Sequence, residues 1–545
     1  MESSNPNRND HSPPNDFKSY LGPSVSNSFL LIDSTAPEIS QIVLNLKNSR
    51  SCGIDNFSNF LLKKCLNGLL LPLTHLINLS LKHGQFPACF KVSKVIPLHK
   101  SGCKNTINNY RPISLVPSIS KILEKIIHIR LTDFFYKHDV ISNSQFGFKQ
   151  HSSTELAILD LTQHIISNIE SKFTTVGIFL DLSKAFDCLD HRILLSKLEH
   201  HGVRGVALQW FSSYLFDRYH FVSVNGANSD LLPMNCGVPQ GSILGPLLFN
   251  IFLNDIVRVS KVAKLVLYAD DSTVLFHDSN IDHLLNTANT EINKIHKWLN
   301  VNGLNINFKK TCYIIFGPKI KTNLINSNLL INGNVIDRVD STKFLGIILS
   351  SNLSWHGHIS YISNKISRNI GLINKLKHIF TFNIIKTLYH SLVFPYLIYG
   401  ISIWGNSPKC HLSLLSKCQH FFLRIQFNLN KFDHVSPFYK VANILNIDQL
   451  FKFNVMVLFY KLIRNEKTSR QLKDIILKHH YKTTLRLRTT PTFRLPFTRT
   501  KLYMDSTMIV GMKLWNELTP EIKDISPLHK FKKEIIILIK CDNSS

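Results

Sequence analysis

In KLVLYADDSTVLF, residues 264–276, apolar β-formers flank a small polar turn, which predicts a hairpin with Asp270 and Asp271 at its tip. Upstream, the apolar run from Val176 to Leu180 reads as a buried strand ended by Asp181, and Phe186 and Asp187 are expected to open a helix reaching His200. Helical spacing places Ile39, Ile42, Val43 and Leu46 on one face of a helix beginning at Ala36, and predicts a second helix from Ile119 to Phe135. A third follows the capping hydroxyls Ser152, Ser153 and Thr154, with Leu156, Leu159 and Ile166 among its apolar positions. Apolar helices are further predicted from Ile243 to Ile256 and from Ile281 to Leu299. Alternation around Val92, Val95 and Ile96 predicts a strand that delivers Lys100 to a loop, after which NYRPISL, 109–115, presents Arg111 from a backbone restricted by Pro112 and Pro117. Residues 304–316 read as a strand with Lys310 and Thr311 at its start, residues 339–349 as a hairpin ending at Gly346, and the remainder as mostly helical. Residues 1–34, rich in Asn, Ser, Pro and Asp, are expected to be disordered.

Length and charge narrow the class. A chain of 545 residues is too long for one core and should divide into about two to four lobes. The formal charge of +27 calls for a polyanionic partner, and favours nucleic acid over a membrane surface or a ribosomal role. The ten cysteines stand singly without zinc-ligand spacing, as in reduced intracellular proteins. The N-terminus lacks the apolar core of a signal peptide, and no window reaches the roughly eighteen apolar residues of a membrane span. The expectation is a soluble protein of the cytosol or nucleus, neither secreted nor membrane-spanning.

The acids suggest chemistry. Two carboxylates about 4 Å apart repel by roughly 4 kcal/mol at an effective dielectric near 20, so a cluster of them persists when a cation or proton neutralises it. Mg²⁺, which accepts one or two protein carboxylates with water and phosphate oxygen, is the natural occupant. An acid at the end of a buried strand, as at Asp181, is likewise costly without a partner. Lys100 and Arg111 on adjoining strands suit a triphosphate, one as a point charge and the other as a planar fork. In Pro239-Gln240-Gly241-Ser242, glycine permits close approach to a turn. Each segment alone has a plainer explanation: a solvated Asp-Asp turn, surface cations, a core phenylalanine at Phe186, or a helix cap at Asp181.

Taken in order, "NYRPISL", "FLDLSKAFDCLDH", "GVPQGSILGPLLFNIFLNDI", "LYADD", "LNINFKKT" and "KFLG" resemble the reverse transcriptases of non-LTR, LINE-like retrotransposons, over roughly residues 35–410. The resemblance implies an α+β fold, the right hand of a polymerase with fingers, a palm built on an antiparallel sheet, and a helical thumb. It divides the chain into a tail (1–34), a helical fingers extension (35–78), the reverse transcriptase domain (79–350), the thumb (351–465) and a basic C-terminal region (466–545). It implies an RNA-directed DNA polymerase joining dNTPs to a primer 3′-hydroxyl on an RNA template by two-metal chemistry. Asp181, Asp270 and Asp271, with the backbone carbonyl of Leu182, would hold two Mg²⁺ ions, for which Mn²⁺ can substitute. Lys100 and Arg111 would hold the triphosphate, and Phe186 would exclude a 2′-hydroxyl. Gln240, Gly241 and Tyr268 would line the nucleotide site, and Lys310 would protonate pyrophosphate. Lys343, Phe344, Leu345 and Gly346 match the primer grip. The implied partners are template RNA, DNA primer, RNA/DNA hybrid, dNTPs and a separate endonuclease. No endonuclease, RNase H constellation or Cys/His knuckle is legible, which suggests a truncated polymerase portion. The alternatives are an idle remnant that binds RNA or single-stranded DNA, and a maturase-like RNA-folding protein.

Overall fold

Residues 15–317, 328–464, 470–480 and 492–541 are described in a computed structural model. β1 (Val92–His99) and β2 (Tyr110–Leu115) pair antiparallel with Leu98 opposite Arg111, and the turn between them is closed by the Lys100 N–H donating to Asn109 O at 2.8 Å. β3 (Thr174–Asp181) follows, then β4 (Tyr219–Val224), which lies parallel to β1 and carries the short strands β5 (Ala227–Asn228) and β6 (Leu232–Pro233). β7 (Lys264–Tyr268) and β8 (Asp271–Asp278) form the hairpin expected around the paired aspartates. β9 (Cys312–Phe316) completes the sheet core. Beyond it come the short pair β10 (Leu330–Ile331) and β11 (Asn334–Val335), then β12 (Asp337–Arg338), which pairs with β9, and the hairpin of β13 (Ser341–Phe344) and β14 (Ile347–Ser350).

The second five-stranded sheet runs β12-β9-β3-β8-β7, with β3 at its centre. Strand side chains alternate between faces, and both faces of β3 are covered. Val176, Ile178 and Leu180 join the cluster containing Leu284, Ala288, Ile292 and Ile295 of helix Ile281–Val301. Phe179 faces the other way, into the cluster containing Leu156, Leu159 and Ile166 of helix Thr154–Glu170. A strand sandwiched in this way needs the unbroken apolar run seen in the sequence. The helices Ala36–Asn45 and Ser118–Lys137 form where expected, and Ser153 caps helix Thr154–Glu170. The mixed α+β content therefore agrees with the sequence reading.

Several expectations are corrected. Residues 1–14 lie outside the described residues, but the segment after them is packed, with Phe17 and Phe29 buried. The Arg204 guanidinium donates to the carbonyls of Val25, Ser26 and Asn27, which anchors a strap that its composition alone marked as disordered. The boundary at 78/79 falls inside helix Leu66–His83, which ends at Gly84 in the left-handed region. No helix opens at Phe186. A short 3-10 turn, Ala185–Asp187, intervenes, and helix His191–His200 is capped by Asp190, whose carboxylate accepts from the N–H groups of Arg192 and Ile193. Asp181 is thereby excluded as its cap. The helix expected from Ile243 to Ile256 is Gly245–Leu253 continued by a 3-10 turn, and the strand expected over 304–316 is regular only from Cys312 to Phe316. The hairpin expected to end at Gly346 instead turns there, both turn residues having positive φ, 44° at Leu345 and 87° at Gly346.

Helices fill most of the chain after Ser350, beginning with His356–Leu376. The basic C-terminal residues are more than a charged tail, for Trp515, Phe531 and Ile535 are buried among these helices. No described helix is long and apolar enough to cross a membrane.

Candidate active site

Asp181 is the direct cross-strand partner of Asp271, and Tyr268 is the partner of Asp271 on the other side. Directly opposed residues in an antiparallel pair project from the same face, here the face of Phe179. Asp270 lies in the two-residue turn, where Ala269 has φ +55°. That turn is seated on Gly147. A Cβ at Gly147 would lie 2.4 Å from Ala269 N and 2.9 Å from Tyr268 C, so glycine is what allows the two backbones to meet. The contact is held by Phe146 N–H donating to Leu267 O at 2.8 Å, Leu267 N–H donating to Ser144 O at 2.9 Å, and Asn250 Nδ2 donating to Gly147 O at 2.8 Å.

The end of β3 is fixed from its other edge. Asn307 N–H donates to Asp181 O at 2.8 Å, Ser183 N–H donates to Asn305 O at 2.9 Å, and Leu182 bridges Ile306. Asp181 N–H donates to Thr311 Oγ1 at 3.3 Å, and Lys310 Nζ stands 3.6 Å from Asp181 Oδ2. Burial, then Asp270, then Asp181 push the Asp271 carboxyl up to about 6, with Lys100 pulling the other way. An all-oxygen donor set short of positive charge fits a hard divalent cation whose shell is completed by water. The expected convergence of three acids is looser than the resemblance implied. Among the described residues no group of three or more His, Cys, Asp or Glu side chains is gathered tightly enough to hold a metal by itself, and the facing pair is Asp181 and Asp271.

Lys100 and Arg111 flank the same turn, and Lys100 is close enough to act on the Asp271 carboxylate. Phe186 stacks on Phe249 with centroids 4.3 Å apart and meets Phe148 edge-on at 6.2 Å. Gln240 Nε2 donates to Asp187 Oδ1 at 2.8 Å, while Ser114 N–H donates to Gln240 O at 2.8 Å. Gly241 takes φ +140°, and a Cβ there would lie 2.4 Å from Ser114 O. The Lys343–Gly346 turn projects from the sheet's Phe179 face, Phe344 lying 5.7 Å from Phe179. Lys343 Nζ donates to Tyr361 Oη at 3.2 Å, and Tyr399 Oη donates to Leu345 O at 2.6 Å.

The reverse transcriptase (RNA-dependent DNA polymerase) family matches residues 98–349, the stretch that contains this acid pair and both flanking turns. A probable RNA-directed DNA polymerase from transposon BS of Drosophila melanogaster is 29% identical over 405 residues, covering 71% of this chain and 44% of that protein. The RNA-directed DNA polymerase from mobile element jockey of the same species is 30% identical over 420 residues, covering 74% of this chain and 45% of that protein. A probable RNA-directed DNA polymerase from its X-element is 26% identical over 397 residues, covering 71% and 43%. Residues 98–349 form a reverse transcriptase domain. The chain spans less than half the length of these relatives.

Within the reverse transcriptase domain, sequence reasoning singled out the acids and cations and missed what seats them. Gly147 stands between Phe146 and Phe148 in the sequence, but its contact with the Tyr268–Ala269 backbone joins segments more than a hundred residues apart. In the sequence Thr311 reads only as part of a strand start and Asp187 only as part of a helix, and nothing local ties Tyr399 to Leu345.

Proposed function

We propose that the chain is an RNA-directed DNA polymerase of a non-LTR retrotransposon, extending a primer 3′-end with deoxynucleotides on an RNA template. The observation that carries this reading is Asp181 facing Asp271 beside a turn bearing Asp270, with the Lys100 cation within electrostatic reach. In this reading the β12-β9-β3-β8-β7 sheet is the palm, the β1–β2 layer with the preceding helices belongs to the fingers, and residues 351–465 are the thumb, followed by the basic region from 466.

Asp181, Asp270 and Asp271, with the Leu182 carbonyl, would hold two Mg²⁺ ions, or Mn²⁺ in their place. When bound, such ions lower the pKa of the primer hydroxyl and offset charge on the leaving pyrophosphate. The remaining work is positioning and electrostatics, with no covalent enzyme intermediate. Lys100 and Arg111 hold the triphosphate. Phe186, backed by Phe249, presents a flat wall against a 2′-hydroxyl. Gln240, its amide fixed by Asp187, lines the nucleotide site with Gly241 and Tyr268. Lys310, beside Asp181, is placed to give a proton to departing pyrophosphate. The Lys343–Gly346 turn grips the primer strand. The charge of +27 matches an RNA/DNA hybrid as partner, and nicking of the target falls to an endonuclease function.

The test is incorporation of labelled dTTP on poly(rA)/oligo(dT) with Mg²⁺, beside Asp270→Ala. Incorporation by the unaltered chain and none by the variant is expected. Equal incorporation, or none by either, would favour a nucleic-acid binder without polymerase activity.

A further inference from the structure

Behind the Pro239–Ser242 turn lies Glu124, on helix Ser118–Lys137, a carboxylate with no solvent exposure. Its Oε2 accepts from the N–H of Ile243 at 2.7 Å and from that of Leu244 at 3.3 Å, and its Oε1 accepts from Ser120 Oγ at 2.9 Å. Buried Arg218 lies close enough to act on it, and Tyr214 stands beside it. Its helix neighbours Leu123, Ile126 and Ile127 are wholly buried, so an apolar side chain would suit this layer. Burying an acid there is costly, and the cost is offset because Ile243 and Leu244 lead into helix Gly245–Leu253, where N–H groups lack carbonyl partners of their own.

Those two N–H groups immediately follow the turn that carries Gln240 and Gly241. The other end of the turn is fixed where Ser114 N–H donates to Gln240 O, and the missing Cβ of Gly241 brings it against Ser114 O. The turn is therefore suspended between two points, β2 on one side and the Glu124 carboxylate on the other. We propose that Glu124 is a positioning residue for nucleotide binding: by holding the N–H groups of Ile243 and Leu244, it sets the place of Gln240 and Gly241 against the incoming deoxynucleotide. This rests on the polymerase reading above. Glu124 itself touches neither substrate nor ion.

Three variants in the full chain test it, by steady-state dTTP incorporation on poly(rA)/oligo(dT). Glu124→Gln keeps the acceptor for the two N–H groups in its amide oxygen, while its NH₂ donates to Ser120 Oγ where the carboxylate accepted and the charge facing Arg218 is removed. Its KM for dTTP should stay within about twofold of the unaltered chain. Glu124→Leu removes the acceptors, and Glu124→Asp withdraws them by one methylene while keeping the charge. Both should raise that KM roughly tenfold with kcat within about threefold. In a Gln240→Ala background the same substitutions should add less than about twofold, since both residues act through one turn. An unchanged KM in Glu124→Asp, a rise in Glu124→Gln equal to that in Glu124→Leu, or full additivity with Gln240→Ala overturns the inference. If Glu124→Leu does not fold, Glu124→Asp carries the test. An unaltered chain that incorporates nothing overturns the polymerase reading and this inference with it, whereas normal kinetics in Glu124→Asp overturns this inference alone.

Discussion

Asp181 and Asp271 face one another across β3 and β8, and the backbone on both sides of that pair is tied down, by Asn307 at Asp181 and through the turn seated on Gly147 at Asp271. The pair is thus held together against its own repulsion. Without a cation, the Asp271 carboxyl titrates at about 6 instead of 3.8. An acid whose folded pKa exceeds its unfolded one binds more protons when folded, so its contribution is most favourable at low pH and falls as pH rises from about 4 to about 6. Asp271→Asn should therefore stabilise the metal-free protein at pH 7 by about 1 kcal/mol, allowing for the part of the carboxyl that faces water. The advantage should shrink towards zero near pH 4. Urea melts of both proteins in EDTA across pH 4–7 check this, and a stability difference that does not change with pH contradicts it. Added Mg²⁺ should raise the melting temperature of the unaltered chain and have much less effect on Asp181→Asn.

Gly147→Ala tests the seat of the turn. The atoms that a methyl group would strike are backbone, Ala269 N and Tyr268 C, and they cannot rotate aside as a side chain would. The substitution should cost about 1–3 kcal/mol. At temperatures where the variant remains folded, dTTP incorporation should still fall by more than about tenfold, because moving Asp270 by even a fraction of an ångström misplaces the acids. Gly371→Ala is the control, since a Cβ there meets nothing within 4 Å. Equal activity in the two alanine variants would show that the turn does not depend on the Gly147 contact.

Phe186→Ala should relax sugar selection. The ring is held by stacking on Phe249 at 4.3 Å and by the edge of Phe148, which fixes its position as the proposed wall against a 2′-hydroxyl. Ribonucleotide incorporation in competition with dTTP should rise by roughly tenfold or more, the size of effect that losing one well-fitted apolar wall produces. The variant should also lose about 2–4 kcal/mol of stability. An unchanged rUTP/dTTP preference in folded protein removes Phe186 from the gate.

Local pattern carried the sheet of this site and not its scaffolding. β3, β7 and β8 were legible because a strand buried on both faces and a hairpin with a polar tip leave periodic traces over a few residues. The start of helix His191–His200 is marked in the sequence, since Asp190 precedes the apolar spacing of Ile193 and Leu194 as a capping acid should. Phe186 and Asp187 read as part of that helix from the sequence because the left-handed Lys184 and the tight turn after it leave no compositional mark. Residues 17–34 failed for another reason. Their order depends on Arg130 and Arg204, which lie far along the chain and donate to strap carbonyls that no local window connects with them. Glu124 was equally invisible, one acid in an amphipathic helix until Ile243 and Leu244 were placed above it.

Tyr399→Phe removes a single hydroxyl and tests whether the Leu345–Gly346 turn, proposed to hold the primer, depends on the helical lobe behind it. Tyr399 Oη donates to Leu345 O at 2.6 Å, its ring lies 3.1 Å from where a Cβ of Gly346 would be, and it is close enough to Tyr268 to oppose ionisation of the Tyr268 phenol. One exposed tyrosine therefore links the Leu345–Gly346 turn to the Tyr268 end of the β7–β8 hairpin. Losing a hydrogen bond of this kind costs about 1 kcal/mol, too little to unfold the chain. It should instead loosen the turn, so that primer–template dissociates several-fold faster while the first added nucleotide is joined at close to the normal rate. Primer extension under a heparin trap separates the two effects. Expected are shorter products from Tyr399→Phe at near-normal single-nucleotide incorporation, and a smaller length change for Tyr396→Phe on the same surface. Product lengths equal to those of the unaltered chain would show that the turn holds its place without Tyr399, while an equal loss in single-nucleotide addition would place the residue in the chemistry and not in the grip.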